Sequence, residues 1–337
     1  MNSVVKNKQS TVTRDMVATE ASVSSATVSR VYNNPDSVRP ERREAVLSAA
    51  KRLGYVPNKS ASALRRKGTG IITLVEFDKG ERPYYWNDMP LFNWFYGDVI
   101  KGAKETIDKS MYNLNLATVS NHKELEQLQD SSDALLFFDV DDLSEVEMIE
   151  QVSIPYVAAH HTNIYKGLWS CSTDNRFGGG LQAEELYRKG VKRPLYITSH
   201  LKSVVPHTER LSGFLSRWNE LSVVEPIVIE VESRENDFDQ MLSEVKTQLD
   251  GQCDGIASVN DILLLRILNR VSIEPLPLVG YDANPMRDII PYDISSIDIR
   301  QKEIYKRAAR ILIERLNQPL RDESPCQEIL PPVIVQG

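Results

Sequence analysis

Between Arg14 and Asn33 the chain reads RDMVATEASVSSATVSRVYN, and this stretch leaves few structural choices. Apolar or small residues fall at Val17, Ala18, Ala21, Val23, Val28 and Val31. That spacing is helical, resets, and is helical again, as two short helices around a tight turn require. Ser24 is placed to cap the second helix, its hydroxyl accepting from a free amide of the first turn. A third helix opens at Pro40, carries a stripe of Ala45, Val46, Ala49, Ala50 and Leu53, and stops at Gly54 with Pro57 beyond. The segment that follows, Asn58–Arg66 (NKSASALRR), is too short and polar to fold alone.

The solvent side of the second helix offers Ser25, Ala26, Ser29 and Arg30. Small polar residues with one long cation let a helix lie deep in a DNA major groove and still reach bases and phosphates. Charge agrees. Through Lys67 there are 13 Lys/Arg and 5 Asp/Glu, a net of +8, whereas the remainder holds 27 basic and 42 acidic residues, a net of −15. A basic head on an acidic body is the electrostatic footprint of a nucleic-acid-binding module joined to something else.

The run VTRDMVATEASVSSATVSRVYNNPDSVRPERREAVLSAAKRLGYVPNKSASALRR resembles the DNA-binding head of the lactose/galactose repressor family. The matching signature is VS-x-ATVSRV-x-NN, then LGY-x-PN and S-A-L-R. The resemblance implies base contacts from Ser25, Ala26 and Arg30, the Ala26 methyl favouring a thymine methyl. It implies phosphate contacts from Thr13, Ser24 and Thr27, which position without specifying. Ser22 stands where the family usually has glycine in the turn. Asn58–Arg66 resembles the family's hinge helix, with Asn58, Ala61 and Leu64 at the DNA and Leu64 wedged between base steps in the minor groove.

Beyond a linker, Lys67–Gly70, apolar runs alternate with helical segments. Strands are expected at Ile71–Phe77, Asn113–Val119, Ala134–Phe138, Tyr156–Ala159, Leu195–Thr198, Ile227–Val231, Gly255–Ser258 and Leu276–Val279. Alternating β and α implies parallel sheets with helices on both faces, and the count exceeds one doubly wound sheet. The fold class expected is an all-α helix-turn-helix head plus an α/β core of two lobes, like periplasmic binding proteins. The divisions are a disordered tail at 1–11, the head at 12–57, hinge helix and linker at 58–70, and the core at 71–337. Within the core, lobe 1 is expected at 71–168 and 299–326, lobe 2 at 169–298 and 327–337. Two departures from the family are a short stretch between Val119 and Asp133, which trims the first lobe, and an aromatic loop with Tyr84, Tyr85, Trp86, Phe92 and Trp94.

The marks STDNRFGGG, ERLSGF, ASVND, LVGYD and ISSIDI carry the family resemblance through the body. They imply effector contacts from Arg210, Asn260 and Asp282, completed by His160 and Gln301. A donor-only guanidinium, an acceptor-only carboxylate and an amide offering both suit a vicinal diol. Trp86 of the aromatic loop, Trp169 or Trp218 could stack on a sugar ring. His160 stands where the family usually has aspartate. A His160–His161 metal site lacks a third ligand, and no metal or cofactor is expected. Gly178–Gly180 lacks phosphate-loop spacing and reads as close helix packing.

The implied function is a repressor, dimeric on a pseudo-palindromic operator, whose DNA affinity is set by a small ligand in the interlobe cleft, first of all a carbohydrate. Alternatives are a purine, nucleoside or sugar phosphate as effector, and, from another class, a sugar-processing enzyme with a DNA-binding head. No Ser-His-Asp or Cys-His set supports the enzyme. The absence of an apolar stretch of signal-peptide length predicts a cytoplasmic protein, and three scattered cysteines suit a reducing compartment.

Overall fold

The computed structural model describes residues 12–33, 37–55, 68–78, 89–140, 143–160, 167–199, 204–231, 235–251, 253–317 and 324–337. The head is three helices, α1 (Arg14–Glu20), α2 (Ser25–Asn33) and α3 (Pro40–Leu53). Val17, Ala18, Val28, Val31, Val46, Ala49 and Ala50 form their core, while Ala45, expected on the stripe, is exposed. The punctuation is as read from the chain. Thr27 donates its backbone N–H to Ser24 Oγ at 3.1 Å, and Gly54 ends α3 in the left-handed region at φ +68°. Ser22 takes φ +53° in the turn where glycine is usual, a conformation that costs a residue with a Cβ about 1 kcal/mol.

The body holds two six-stranded sheets. The first contains β1 (Ile71–Phe77), β2 (Asn113–Val119), β3 (Ala134–Phe138), β4 (Tyr156–Ala159), β5 (Ser170–Thr173) and β11 (Gln327–Leu330), in the order β11-β5-β4-β3-β1-β2. All its pairings are parallel. The second contains β6 (Pro194–Ser199), β7 (Ile227–Val231), β8 (Gly255–Ser258), β9 (Leu278–Tyr281), β10 (Ile294–Asp298) and β12 (Val333–Val335), in the order β12-β10-β9-β8-β6-β7. Only β12 runs antiparallel, against β10. Helices α4 (Met89–Ile107), α5 (His122–Asp130) and α6 (Leu143–Glu150) belong to the first lobe. Helices α7 (Asn175–Arg188), α8 (Val205–Leu221), α9 (Glu235–Leu249) and α10 (Asp261–Leu268) belong to the second. The chain then returns, and α11 (Gln301–Asn317) packs on α4 and on β3–β5.

The lobe boundaries differ from the expected ones in two places. Residues 170–173 form a strand of the first sheet, so the first crossing follows Thr173 rather than residue 168. Ser170–Thr173 escaped notice because its buried face is built from Ser, Cys and Thr, without the apolar run that marks a strand. Residues 327–330 also pair in the first sheet, on β5, and only 333–335 reach the second. The chain therefore passes between lobes three times. The short stretch after Val119 does carry a helix, α5, of 9 residues.

Candidate functional site

The floor of the cleft between the lobes is set by glycines. A Cβ on Gly179 of α7 would sit 1.9 Å from the Arg210 carbonyl oxygen, and one on Gly213 of α8 would sit 1.8 Å from the Arg176 carbonyl. Without side chains there, α7 and α8 meet backbone to backbone, and Arg210 on α8 is carried over the end of β9. The Gly178–Gly180 run is thus helix packing, as its spacing suggests. Arg210 is buried. Its Nε donates to Asn175 Oδ1 at 3.0 Å and Nη1 to the Val259 carbonyl at 2.9 Å. Nη2 lies 3.1 Å from Asp282 Oδ1. The guanidinium carbon stands 3.9 Å above the centre of the Tyr281 ring, a desolvated cation–π contact. Among the described residues three of its five N–H groups are engaged in this way, which leaves the others to face a ligand.

Asp282 follows β9 with φ +86°, and Ala283 follows it with φ +53°. Burial pushes the Asp282 carboxyl up from its usual range while Arg210 pulls it down. Asp282 caps nothing; the short 3-10 turn beyond it is capped by Asn284, whose Oδ1 accepts from Met286 N at 2.9 Å. Asn260 borders the cleft but also caps α10, its Oδ1 accepting from Leu263 N at 2.8 Å. Its NH2 is what it has left to offer.

The first lobe supplies the opposite wall. His160 follows β4 at φ +54°, stacks on Phe95 at 5.3 Å and 27°, and places Nδ1 3.3 Å from the Tyr305 hydroxyl. Burial, with help from the Arg210 charge, drives its pKa down to about 4, so the ring is neutral at physiological pH. Its Nε2 is buried with no hydrogen-bond partner among the described residues, and so is the indole N–H of Trp94 beside it. Unpaired buried polar atoms are costly and call for an occupant. About 70 Å³ of the enclosed part is open to the centres of water molecules, room for several waters but tight for a sugar ring. Asp139, Trp94, Phe95 and His160 come from one lobe, and Asn175, Arg210, Asn260 and Asp282 from the other. An occupant would touch both.

In the head, Thr13 and Ser24 act as N-caps of α1 and α2. Ala26 and Arg30 are exposed on α2. Ser25 is half-buried, its Oγ accepting from Arg14 Nε at 2.6 Å.

Residues 13–58 match the family described as bacterial regulatory proteins, lacI family, and residues 183–337 match the periplasmic binding protein-like domain. The head is a lacI-family domain. The transcriptional regulator CelR of Thermobifida fusca is 26% identical over 320 residues, covering 90% of this chain and 92% of that protein. The sucrose operon repressor of Streptococcus mutans is 27% identical over 334 residues, covering 95% and 97%. Among solved structures, a CelR–cellobiose complex superposes with a TM-score of 0.66 at 23% identity, covering 96% of this chain and 99% of that one. With this head on a periplasmic-binding-protein-like core, the chain is a DNA-binding transcription regulator.

Of the effector contacts expected in this regulator, Arg210, Asn260, Asp282 and His160 converge on the cleft. Gln301 does not join them. It is buried at the start of α11 with Nε2 unpaired among the described residues, and it lines an adjoining outer opening shared with Trp94 and Asp282. Trp169 lies 4.2 Å from the Arg315 guanidinium, away from the cleft, and Trp218 is fully buried in the second lobe's core, its indole N–H bonded to the Val224 carbonyl. Neither can stack on a ligand. Trp86, Asn58, Ala61 and Leu64 lie outside the described residues, as do Tyr84, Tyr85 and His161. Asn175, His207 and Phe95 were not anticipated. Asn175 sits within the quoted STDN mark, directly after the capping Asp174, which was the available signal. His207, held by Ser199 and bordering the cleft, has its pKa forced well down by burial and by Arg210. No group of three His, Cys, Asp or Glu placed for a metal occurs among the described residues, and no helix among them is long and apolar enough to cross a membrane.

Proposed function

We propose that this regulator is a cytoplasmic, dimeric repressor whose operator affinity is controlled by a neutral carbohydrate held between its lobes. One observation carries the reading: the buried Arg210–Asp282 pair on one wall faces His160 Nε2 and the Trp94 indole N–H on the other. Adjacent sugar hydroxyls each donate and accept, so they can bridge a guanidinium and a carboxylate at once. Two neutral groups opposite them, one over an aromatic wall, suit a ring with an apolar face. The charged side chains of the outer opening do not favour a phosphate, because Lys302 and Lys306 are paired to Glu105 and Glu303. The sugars in the names of its relatives, cellobiose, ribose and sucrose, are of this chemistry.

The mechanism is linkage. A ligand bridging both walls favours one angle between the lobes, and through the hinge segment that angle sets the population of the DNA-competent dimer. Ser25, Ala26 and Arg30 read base edges, Thr13, Ser24 and Thr27 hold phosphates, and Leu64 wedges the minor groove. The test is calorimetry and melting against cellobiose, sucrose, ribose, purines and sugar phosphates, followed by gel shifts with any hit. A sugar near 100 times its Kd should add about 2.7 kcal/mol of stability and change operator affinity. Binding by purines or phosphates alone would remove the carbohydrate, and no salt-dependent DNA binding would remove the regulator's operator role.

A further inference from the structure

Asp282 presents its carboxylate to Arg210 from a turn that resists forming. Two consecutive residues with side chains, Asp282 at φ +86° and Ala283 at φ +53°, occupy the left-handed region. Each costs on the order of 1 kcal/mol or more, so such turns persist only where their surroundings over-determine them. One restraint is ordinary: Asp282 N donates to the Ile297 carbonyl at 2.7 Å, continuing the sheet. The others come from side chains. Asp261, the first residue of α10, is almost fully buried. It accepts from Asn284 N at 2.7 Å and from Ser296 Oγ at 3.0 and 2.8 Å. Ser296 Oγ in turn accepts from Ala283 N at 3.0 Å. The two amides immediately after Asp282 are thus held by one carboxylate and one hydroxyl that hold each other. Gly280 makes room for the arrangement, since a Cβ there would sit 1.6 Å from Asp261 Oδ1.

We propose that Asp261 and Ser296 are positioning residues for the cleft: together they lock the 282–284 turn and thereby aim Asp282 at Arg210. The inference rests on the cleft being the effector site only where affinity is the readout. Burying a carboxylate is expensive, and its pKa of about 7, raised by burial and by the nearby Asp282 and lowered by its two donors and by Arg287, measures that expense. Asn260 already caps α10, so a small apolar residue at 261 would fill the space at lower cost. What it could not do is accept from two neighbours at once while keeping both in place.

The experiment uses the full chain and four variants: Ser296→Ala, Ser296→Thr, Asp261→Ala and Gly280→Ala. The first readout is crystallographic and needs no ligand. In Ser296→Ala, residue 283 should leave the left-handed region and the 3.1 Å contact between Arg210 and Asp282 should open; in Ser296→Thr, which restores the hydroxyl, both should be kept. Asp261→Ala, which removes the acceptor, and Gly280→Ala should reproduce Ser296→Ala. The second readout is calorimetry with cellobiose, ribose and sucrose as probes: whichever binds the wild type should bind Ser296→Ala at least tenfold more weakly and Ser296→Thr within about threefold. An unchanged turn in Ser296→Ala, or an equal disturbance in Ser296→Thr, would overturn the proposal. If none of the three sugars binds the wild type, the carbohydrate reading fails, while the crystallographic comparison still decides for or against the lock.

Discussion

Arg14 donates through Nε to the Ser25 hydroxyl at 2.6 Å, tying the first helix to the opening of the second. Ser25 is one of the three residues expected to contact bases, and here it is bonded to a cation supplied by another helix. Its Nε occupied, the Arg14 guanidinium keeps its terminal N–H groups for a base edge or phosphate. Arg14→Ala and Ser25→Ala should therefore alter preference at the same operator position. A double-mutant cycle on operator-library binding should give a coupling of about 0.5–3 kcal/mol. Additive effects at different positions would show that the two read DNA independently.

Asp282→Asn should abolish the response to sugar while leaving salt-dependent DNA binding in its absence intact. Removing one partner of a buried ion pair costs about 3–5 kcal/mol, because the other charge stays buried alone. The core should melt correspondingly earlier, and Arg210→Lys should do the same, since an ammonium cannot serve Asn175, Val259 and Asp282 together. A variant that still responds to the same sugar would place the ligand elsewhere.

Asp261 predicts a pH dependence whose sign can be worked out. Its folded pKa is raised to about 7 from 3.8, so its contribution to stability is complete below the unfolded value and is lost as pH rises toward 7. The slope approaches about 1.4 kcal/mol per pH unit in that window. His160, lowered from 6.5 to about 4, acts in the opposite sense, its contribution being lost as pH falls below 6.5. The difference between wild type and Asp261→Asn isolates the carboxyl. Denaturant titrations at pH 5 and pH 7 should show the wild type losing about 2 kcal/mol relative to the variant; parallel curves would refute it.

Ser22→Gly should stabilise the head. It relieves the left-handed strain at φ +53° but adds freedom to the unfolded chain, so the net gain is about 0.5 kcal/mol. Hydrogen exchange of the α1 and α2 amides in the intact protein would register it as slower exchange.

Gly179→Ala, like its counterpart Gly213→Ala across the helix contact, should be among the most damaging single methyls in the second lobe. The added carbon meets backbone, the Arg210 carbonyl at 1.9 Å, which cannot swing aside as a side chain could. A cost of about 3 kcal/mol, at the upper end for overpacking, is expected in thermal unfolding, together with loss of sugar binding as α8 is displaced. Gly180→Ala, whose nearest neighbour would be 3.6 Å away, is the control.

Where local chemistry decides the structure, the chain was legible. Strands such as Ala134–Phe138 and Ile227–Val231 match their apolar runs residue for residue, and Ser24, Pro40 and Gly54 punctuate the head as expected. Long-range partners were not legible. The strand Ser170–Thr173 has no periodicity, since small polar residues can be buried between two neighbouring strands that supply the hydrogen bonds. The helix bearing Arg210 begins at Val205, with Pro206 in its first turn, where a proline is tolerated but leaves no periodic signal of its own. In the cleft, the family resemblance pointed to Arg210, Asn260 and Asp282. It said nothing of Asn175, which orients Arg210, or of Asp261 and Ser296, which act through the turn after Asp282. Those roles depend on contacts between residues 13 to 35 apart in the chain. Gln301 was misplaced for a related reason: being buried beside the cleft differs from facing it.

The three crossings, after Thr173, after Asp298 and after Leu330, give the core a property neither sheet has alone. The lobes are sewn together by three separate covalent seams, so a protease that nicks any one crossing leaves two of them intact. The nicked core should still migrate as one body under native conditions and separate into fragments only in denaturant. Loss of a seam would loosen the relative orientation of the lobes without dissolving either. A crossing nick is thus a means of uncoupling the sensor from the reader while both still fold.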